Sequence, residues 1–369
     1  MKSRHRPRPA RTVLGAAVAL AACALLARSF AGVDFRATLR AVLRIGPFAP
    51  VVLAPWLAGV ACDAAGMRIL LTSMGRNVGI FRLLPIRIAT EALHVTAPAG
   101  FLVADSVTAS LLAARCGVPI AEGAVLAVAR KWLVMRAHAA YIMTGAVVGA
   151  GLLTAVSERY LGGGWLPWAI GTLALAPLLL SLGLGTGFRG RDTLARLQSA
   201  LGKVPWRALA ARAARWRESA SNGDATLSRI GAARNSTWIA AGAFLVCWIL
   251  EALDTAVILR LLGASLDLTF AMAAEVGISM LRSIGNVLPA GLGVQDAGYA
   301  TLLPAMGMAP DAAAAFVLVK RGKELVWIGV GYALLAALRR AQPIRQERTP
   351  ARARVGVRPT RGVSGIAVG

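Results

Sequence analysis

Apolar residues fall in long runs along this chain, and charged residues collect between the runs. Runs long enough to cross a bilayer, which takes roughly 20 residues, lie at about 12–27, 46–71, 119–154, 165–187, 236–262 and 311–338. In hydrocarbon the backbone must satisfy its own hydrogen bonds, so such runs predict helices. The ten-residue alternation of membrane strands is absent. Two further apolar stretches are interrupted. Arms at 85–97 and 101–116 flank Pro98-Ala-Gly100, and arms at 268–288 and 292–306 flank Pro289-Ala-Gly291. An arm of 13 residues is too short to span, so each stretch predicts a broken, re-entrant hairpin, tolerated only where protein or a cavity surrounds it. The expected fold is all-α: about six spanning helices and two broken hairpins.

Composition agrees with a membrane chain. Of 369 residues 57% are apolar and 16% charged, with mean hydropathy +0.63. The formal charge is +24, carried by 36 Arg and 5 Lys against 17 acids. Nucleic-acid binding would use such a charge, but here the excess flanks apolar runs, where it sets topology and meets anionic lipid. Segments 1–11, 73–87, 188–235 and 339–369 hold 26 of the 41 basic residues. All four are therefore expected on the cytoplasmic side of a bacterial inner membrane, with both termini inside. Residues 1–11 precede an apolar run that resembles a signal peptide. Ala27-Arg28-Ser29-Phe30 is a poor cleavage site, so this helix is expected to be retained. Segment 28–45 falls outside despite Arg28, Arg36, Arg40 and Arg44. Phe35, Leu39, Val42 and Leu43 share one face there, which predicts a helix on the outer surface. Within 188–235, Leu194, Leu197, Leu201 and Val204 recur at helical spacing among charges, predicting a second surface helix. The basic tail 339–369 reads as disordered.

The two broken stretches match. Pro98-Ala-Gly-Phe-Leu-Val-Ala-Asp105 aligns with Pro289-Ala-Gly-Leu-Gly-Val-Gln-Asp296 at an offset of 191. Arg130-Lys131 falls near Lys320-Arg321, and Trp56, Asp63 and Arg68 near Trp248, Asp254 and Arg260. The repeat units are about 46–154 and 236–338 within a membrane domain of 12–338. Three net crossings separate the copies, which turns the second upside down. Inverted repeats with discontinuous helices are a transporter arrangement.

Ionisable residues at membrane depth are costly and mark function or partners. Asp105 and Asp296 each follow the repeated Pro by seven residues; headgroup or ion binding and capping of the broken helix both fit. Gly100, Gly291 and Gly293 permit chain reversal after Pro98 and Pro289. Glu91 and Arg282 occupy equivalent places with opposite charge and are expected to meet. Arg130, Lys131, Arg136, Lys320, Arg321 and Lys323 suit a lipid phosphate or snorkel to the interface, while Lys320 and Glu324 have the spacing of a helical pair. Glu251 and Asp254, three residues apart, fit a coupling-ion site or a neutralised pair. His94 and His138 are isolated, and core packing is the expectation for both. The four cysteines are isolated too, and no metal or cofactor is expected.

The stretch Asn286-Val-Leu-Pro-Ala-Gly-Leu-Gly-Val-Gln-Asp296, with Gly307 and Lys320-Arg321 beyond it, resembles the transmembrane-domain family of lysylphosphatidylglycerol synthases; its flippase-like, hopanoid-associated branch looks most similar. The family pattern usually has Glu where Asp296 stands. The resemblance implies movement of a lipid between leaflets: a phospholipid, an aminoacyl-phospholipid or a hopanoid. It extends the candidate substrate contacts to Asn286. The 31 residues after the last span are too few for the soluble transferase of full-length synthases. With no HExxH or GxSxG motif, enzyme activity is not the first expectation. An integral-membrane enzyme of lipid or polyprenyl-phosphate metabolism and an assembly factor remain alternatives. The expected partners are membrane lipids with anionic headgroups, and a homo-oligomer stays open.

Overall fold

Apolar runs with few polar side chains leave the backbone one way to satisfy itself, and the described chain is helical throughout, with no strand among the described residues. The computed structural model describes residues 34–97, 99–189, 199, 217–264, 268–285 and 294–340, apart from the side chains of 49, 183–189, 217–222, 280–285 and 294. The first basic segment, the run at 12–27, the surface helix expected around 194–204 and the tail from 341 lie outside the described residues.

Helix α1, Phe35–Ile45, starts at Asp34, whose carboxylate accepts the backbone N–H of Arg36 at 2.8 Å and of Ala37 at 3.3 Å. Its Phe35, Leu39 and Leu43 are 66%, 57% and 66% exposed. A short 3₁₀ turn, Gly46–Phe48, leads into α2, Ala49–Ser73. The first hairpin follows as α3, Ile80–Thr96, and α4, Gly100–Cys116. Next come α5, Ile120–Val148, α6, Ala150–Leu161, α7, Leu166–Arg189, and α8, Arg217–Ala232. Helix α9, Arg234–Leu261, follows. The second hairpin is α10, Leu268–Gly285, and α11, Val294–Ala305, followed by the long α12, Pro310–Arg340.

Among the described residues two helices are long and apolar enough to cross a membrane, Pro50–Ser73 and Arg234–Leu261, and α5 with α6 makes a third if that bent pair is one span. Six were expected. Over its described side chains α7 counts as apolar for Leu166–Leu182, and α12 carries Lys320, Arg321, Lys323 and Glu324 in its middle. The single helix expected over 119–154 is corrected: it bends by 74° at Gly149. The cause is close packing. A Cβ at Gly149 would lie 2.6 Å from the Cβ of Ala273, and one at Gly145 would collide with Val276. The two glycines, one turn apart, let α10 lie against α5 with backbones close together.

The same device recurs elsewhere. Helix α2 lies along α9, where a Cβ at Gly66 would come 2.7 Å from the Phe244 ring. Helix α3 lies along α12, where a Cβ at Gly331 would lie 2.6 Å from Ala92 Cβ. Each hairpin bridges the two long helices: α3 packs on α12 and α4 on α5, while α10 packs on α5 and α11 on α12. Helix α8 packs on α5 and α7 and buries Asp224, Leu227 and Ile230.

The first hairpin reverses through Ala99, which has φ 51°, a left-handed conformation costly for a residue with a Cβ. At the next position a Cβ would run into the carbonyl of His94, so Gly100 is the residue that lets the two arms touch. The second reversal, with Asn286, Pro289, Gly291 and Gly293, lies outside the described residues, as does Pro98.

Candidate functional site

A cavity of about 660 Å³ opens among the helices. It is walled by α2, α3, α4, α5, α9, α10, α11 and α12, and charged side chains line it from both sides. At this depth each charge needs a partner, and the partners come mostly from other helices.

On one side Asp63 of α2 is the hub. It is 6% exposed. Arg87 of α3 donates to Oδ2 from Nε at 3.1 Å and from Nη2 at 2.7 Å. Arg130 of α5 donates from Nε to Oδ1 at 2.8 Å and from Nη2 to Oδ2 at 2.5 Å. All are of the strong, charge-assisted kind, and Arg130 grips both oxygens as a fork. Arg87 also reaches Glu91 at 2.9 Å, and His94 lies 3.7 Å from Glu91. The neighbouring Lys131 sits 3.7 Å from Asp105 and over the Phe101 ring at 5.2 Å. The side chain of Arg282, the expected partner of Glu91, is not described.

On the other side the hub is Glu275 of α10, 1% exposed. Its Oε1 accepts from Thr255 of α9, from the Tyr299 hydroxyl of α11 at 2.6 Å and from Lys320 of α12 at 2.6 Å. The Lys320 ammonium also donates to Thr255 at 3.0 Å and to Tyr299 at 2.9 Å, and it stands 3.9 Å from Glu251. Arg321 binds Asp296 at 2.6 Å and Glu324 in the next turn. Lys323 binds Asp254 Oδ2. Among the described residues, Asp254 Oδ1, Arg321 Nη2 and Trp327 Nε1 are buried without a hydrogen-bond partner, and all three residues line the cavity.

Two aromatic pairs complete the walls. Trp56 of α2 stacks on Trp327 of α12 at 4.3 Å, and Trp248 of α9 stacks on His138 of α5 at 3.9 Å.

Several expectations change. Asp105 is not a helix cap: α4 starts at Gly100 behind Ala99, with no side chain capping it, and Asp105 lies a turn further in. Glu324 pairs with Arg321, because Lys320 is turned toward Glu275. Arg136 is withdrawn from the set, since it stacks on Trp132 at 4.3 Å and donates to the Ser181 carbonyl at 3.2 Å. Arg87, counted with the basic segment 73–87, is 3% exposed inside α3, held there by Asp63.

Sequence reasoning passed over Arg87, Glu275, Thr255 and Tyr299, and used Asp63 only to align the repeat. A single Glu within the apolar stretch Leu268–Gly285 was the available signal.

Apolar helices enclosing a paired-charge cavity define an all-α membrane protein. Residues 12–348 match the family model described as the lysylphosphatidylglycerol synthase TM region, and the chain belongs to that family. Among curated proteins none matches it.

Proposed function

We propose that this protein moves a lipid between the leaflets of a bacterial inner membrane, with the headgroup passing through the charged cavity. The observation that carries the reading is the cavity itself: about 660 Å³, lined by Arg130 and Lys131 from one unit and by Lys320, Arg321 and Lys323 from the other. A lipid headgroup crossing hydrocarbon needs charged and hydrogen-bonding groups to replace its water. Arg and Lys donors lining the cavity offer that to a phosphate. Arg321 has a donor, Nη2, without a partner among the described residues, which suits an incoming oxygen.

The reading includes two inverted units, six net spans and cytoplasmic termini. Matched contacts support the repeat. Lys131 with Asp105 corresponds to Arg321 with Asp296. Trp56 on Trp327 corresponds to Trp248 on His138. Each hairpin places its first arm on the long helix of the other unit and its second arm on its own. An arrangement with this exchange can open alternately to either face.

The test is reconstitution of the purified chain in liposomes carrying leaflet-specific reporters for phospholipid, aminoacyl-phospholipid and hopanoid. Transbilayer movement without covalent change is the expected result, lost in Asp296→Asn while membrane insertion persists. A chemically altered lipid would replace this reading with an enzymatic one. Neither movement nor alteration would leave the assembly role.

A further inference from the structure

The lysines and arginines that line the cavity are not equally available to a ligand. The Lys131 side chain is 36% exposed, whereas those of Arg130, Lys320, Arg321 and Lys323 range from 6% to 21%. Lys131 is also the most loosely held of the five. Its carboxylate, Asp105, lies 3.7 Å away, too far for a hydrogen bond. Arg130 meets its carboxylate at 2.5 Å, and Lys320 and Arg321 meet theirs at 2.6 Å. An ammonium carries three N–H donors on a flexible stem. Lys131 can therefore take on a phosphate oxygen while Asp105 keeps its ionic contact.

The surroundings of Lys131 change from polar to apolar within one helical turn. Phe101 of α4 lines the cavity, holds its ring 5.2 Å from the Lys131 ammonium, and is 41% exposed. Leu102 and Val103 follow it, 58% and 36% exposed, and neither lines the cavity. The left-handed Ala99 and the bare Gly100 hold this first turn of α4 against the end of α3, so Phe101 is fixed at the rim. The flank of the same reversal that faces α12 is tied shut. There the Thr96 and Tyr332 hydroxyls join α3 to α12 at 2.6 Å, and Ala92 presses on Gly331. The rim at Phe101 thus sets a cation inside, an aromatic ring at the edge and aliphatic side chains outside, an order that matches phosphate, glycerol and acyl chain along a phospholipid.

We propose that this rim is a docking site for one anionic phospholipid, with its phosphate on Lys131 and its acyl chains outside the cavity along Phe101, Leu102 and Val103. Acyl chains gain nothing from charged walls and stay in hydrocarbon, so the cavity of about 660 Å³ has to receive the headgroup alone. The role of the rim as the entry point to the cavity rests on the translocation reading; the docking site itself does not.

The experiment is photo-crosslinking of the full-length protein in liposomes of phosphatidylglycerol and phosphatidylcholine in equal amounts, with mass spectrometry of the captured lipid. The photoreactive residue p-benzoylphenylalanine replaces Phe101, or Leu102 if the first variant fails to fold. The reference is the same replacement at Leu173, an exposed residue of α7 away from the cavity lining. Relative to that reference, adducts at the rim should favour phosphatidylglycerol several-fold. Lys131→Met should abolish the preference and Lys131→Arg should retain it. Rim adducts that match the reference, or a preference that survives Lys131→Met, overturn the proposal. Glycerol 3-phosphate in excess should leave the preference intact; its loss would mean that the site reads a soluble phosphate and would overturn the lipid assignment. The readout does not require transport. A rim preference in a protein that moves no lipid keeps the docking site and sinks translocation; lipid movement without the preference does the reverse.

Discussion

Removing the Asp63 carboxylate should be the most destabilising single change on the first side of the cavity. Asp63→Asn keeps the shape but deletes the charge that two buried guanidiniums share. Arg87 is 3% exposed at its side chain and Arg130 12%. Both are largely buried, and Asn offers one acceptor oxygen where both carboxylate oxygens were used. Breaking a buried ion pair by deleting one partner typically costs about 3–5 kcal/mol. At 1.4 kcal/mol per decade that lowers the folded-to-unfolded ratio by roughly two to three and a half orders of magnitude. The assay is denaturant titration of the purified protein in detergent micelles, followed by tryptophan fluorescence. Arg76→Gln is the internal control. Its pair with Glu122 has a 2.7 Å contact but side chains 40% and 26% exposed, and such pairs are worth about 0–1 kcal/mol. The quadruple replacement Asp63→Leu, Arg87→Met, Arg130→Met, Glu91→Gln removes the network's charges together, Glu91 included because it pairs with Arg87, and should regain most of the loss. A cost for Asp63→Asn no larger than that for Arg76→Gln would refute the view that burial, rather than distance, sets the strength of these pairs.

The other expectations follow the same logic. Gly145→Leu should cost about 1–3 kcal/mol or more through overpacking in the same titration, because its side chain would have to displace Val276 of α10; a neutral result would mean the helices are free to part. Lys320→Met should destabilise by about 3–5 kcal/mol by leaving Glu275 buried without its cation, with Glu275→Gln restoring part of the loss. Asp34→Ala should cost about 1 kcal/mol as a lost helix cap and should loosen α1, read as faster proteolysis within 35–45.

Long apolar runs and the Pro-Ala-Gly breaks showed the helical class and the first hairpin in sequence, because length and backbone chemistry are local properties. Partner choice is not local. Asp105 and Lys131 are 26 residues apart and Asp63 and Arg130 are 67 apart, and only the packing of α2, α4 and α5 brings them together. Spacing alone offered Lys320 and Glu324 as a pair, but tertiary contact gave Lys320 to Glu275 instead. Arg87 looked like one more topology charge beside Arg76 and Arg82, and nothing in its neighbourhood pointed to Asp63, 24 residues upstream. The bend at Gly149 was hidden because a glycine inside an apolar run fits a straight helix equally well until another helix presses against it.

The exposed face of α1 supplies a depth gauge. A helix that shows Phe35, Leu39 and Leu43 on one side and Arg36, Arg40 and Arg44 among its remaining positions has the composition of an interfacial helix, and we propose that it lies where acyl chains meet headgroups. It is moored to the start of α12, since the Asp34 N–H donates to Asp311 at 3.0 Å. From Asp311 to Lys320 is nine residues of helix, about 14 Å at 1.5 Å each. Half of a hydrocarbon core of roughly 30 Å is about 15 Å. With α1 at an interface and α12 along the bilayer normal, the placement we propose, this mooring would set Lys320 and Arg321 near the centre of the bilayer.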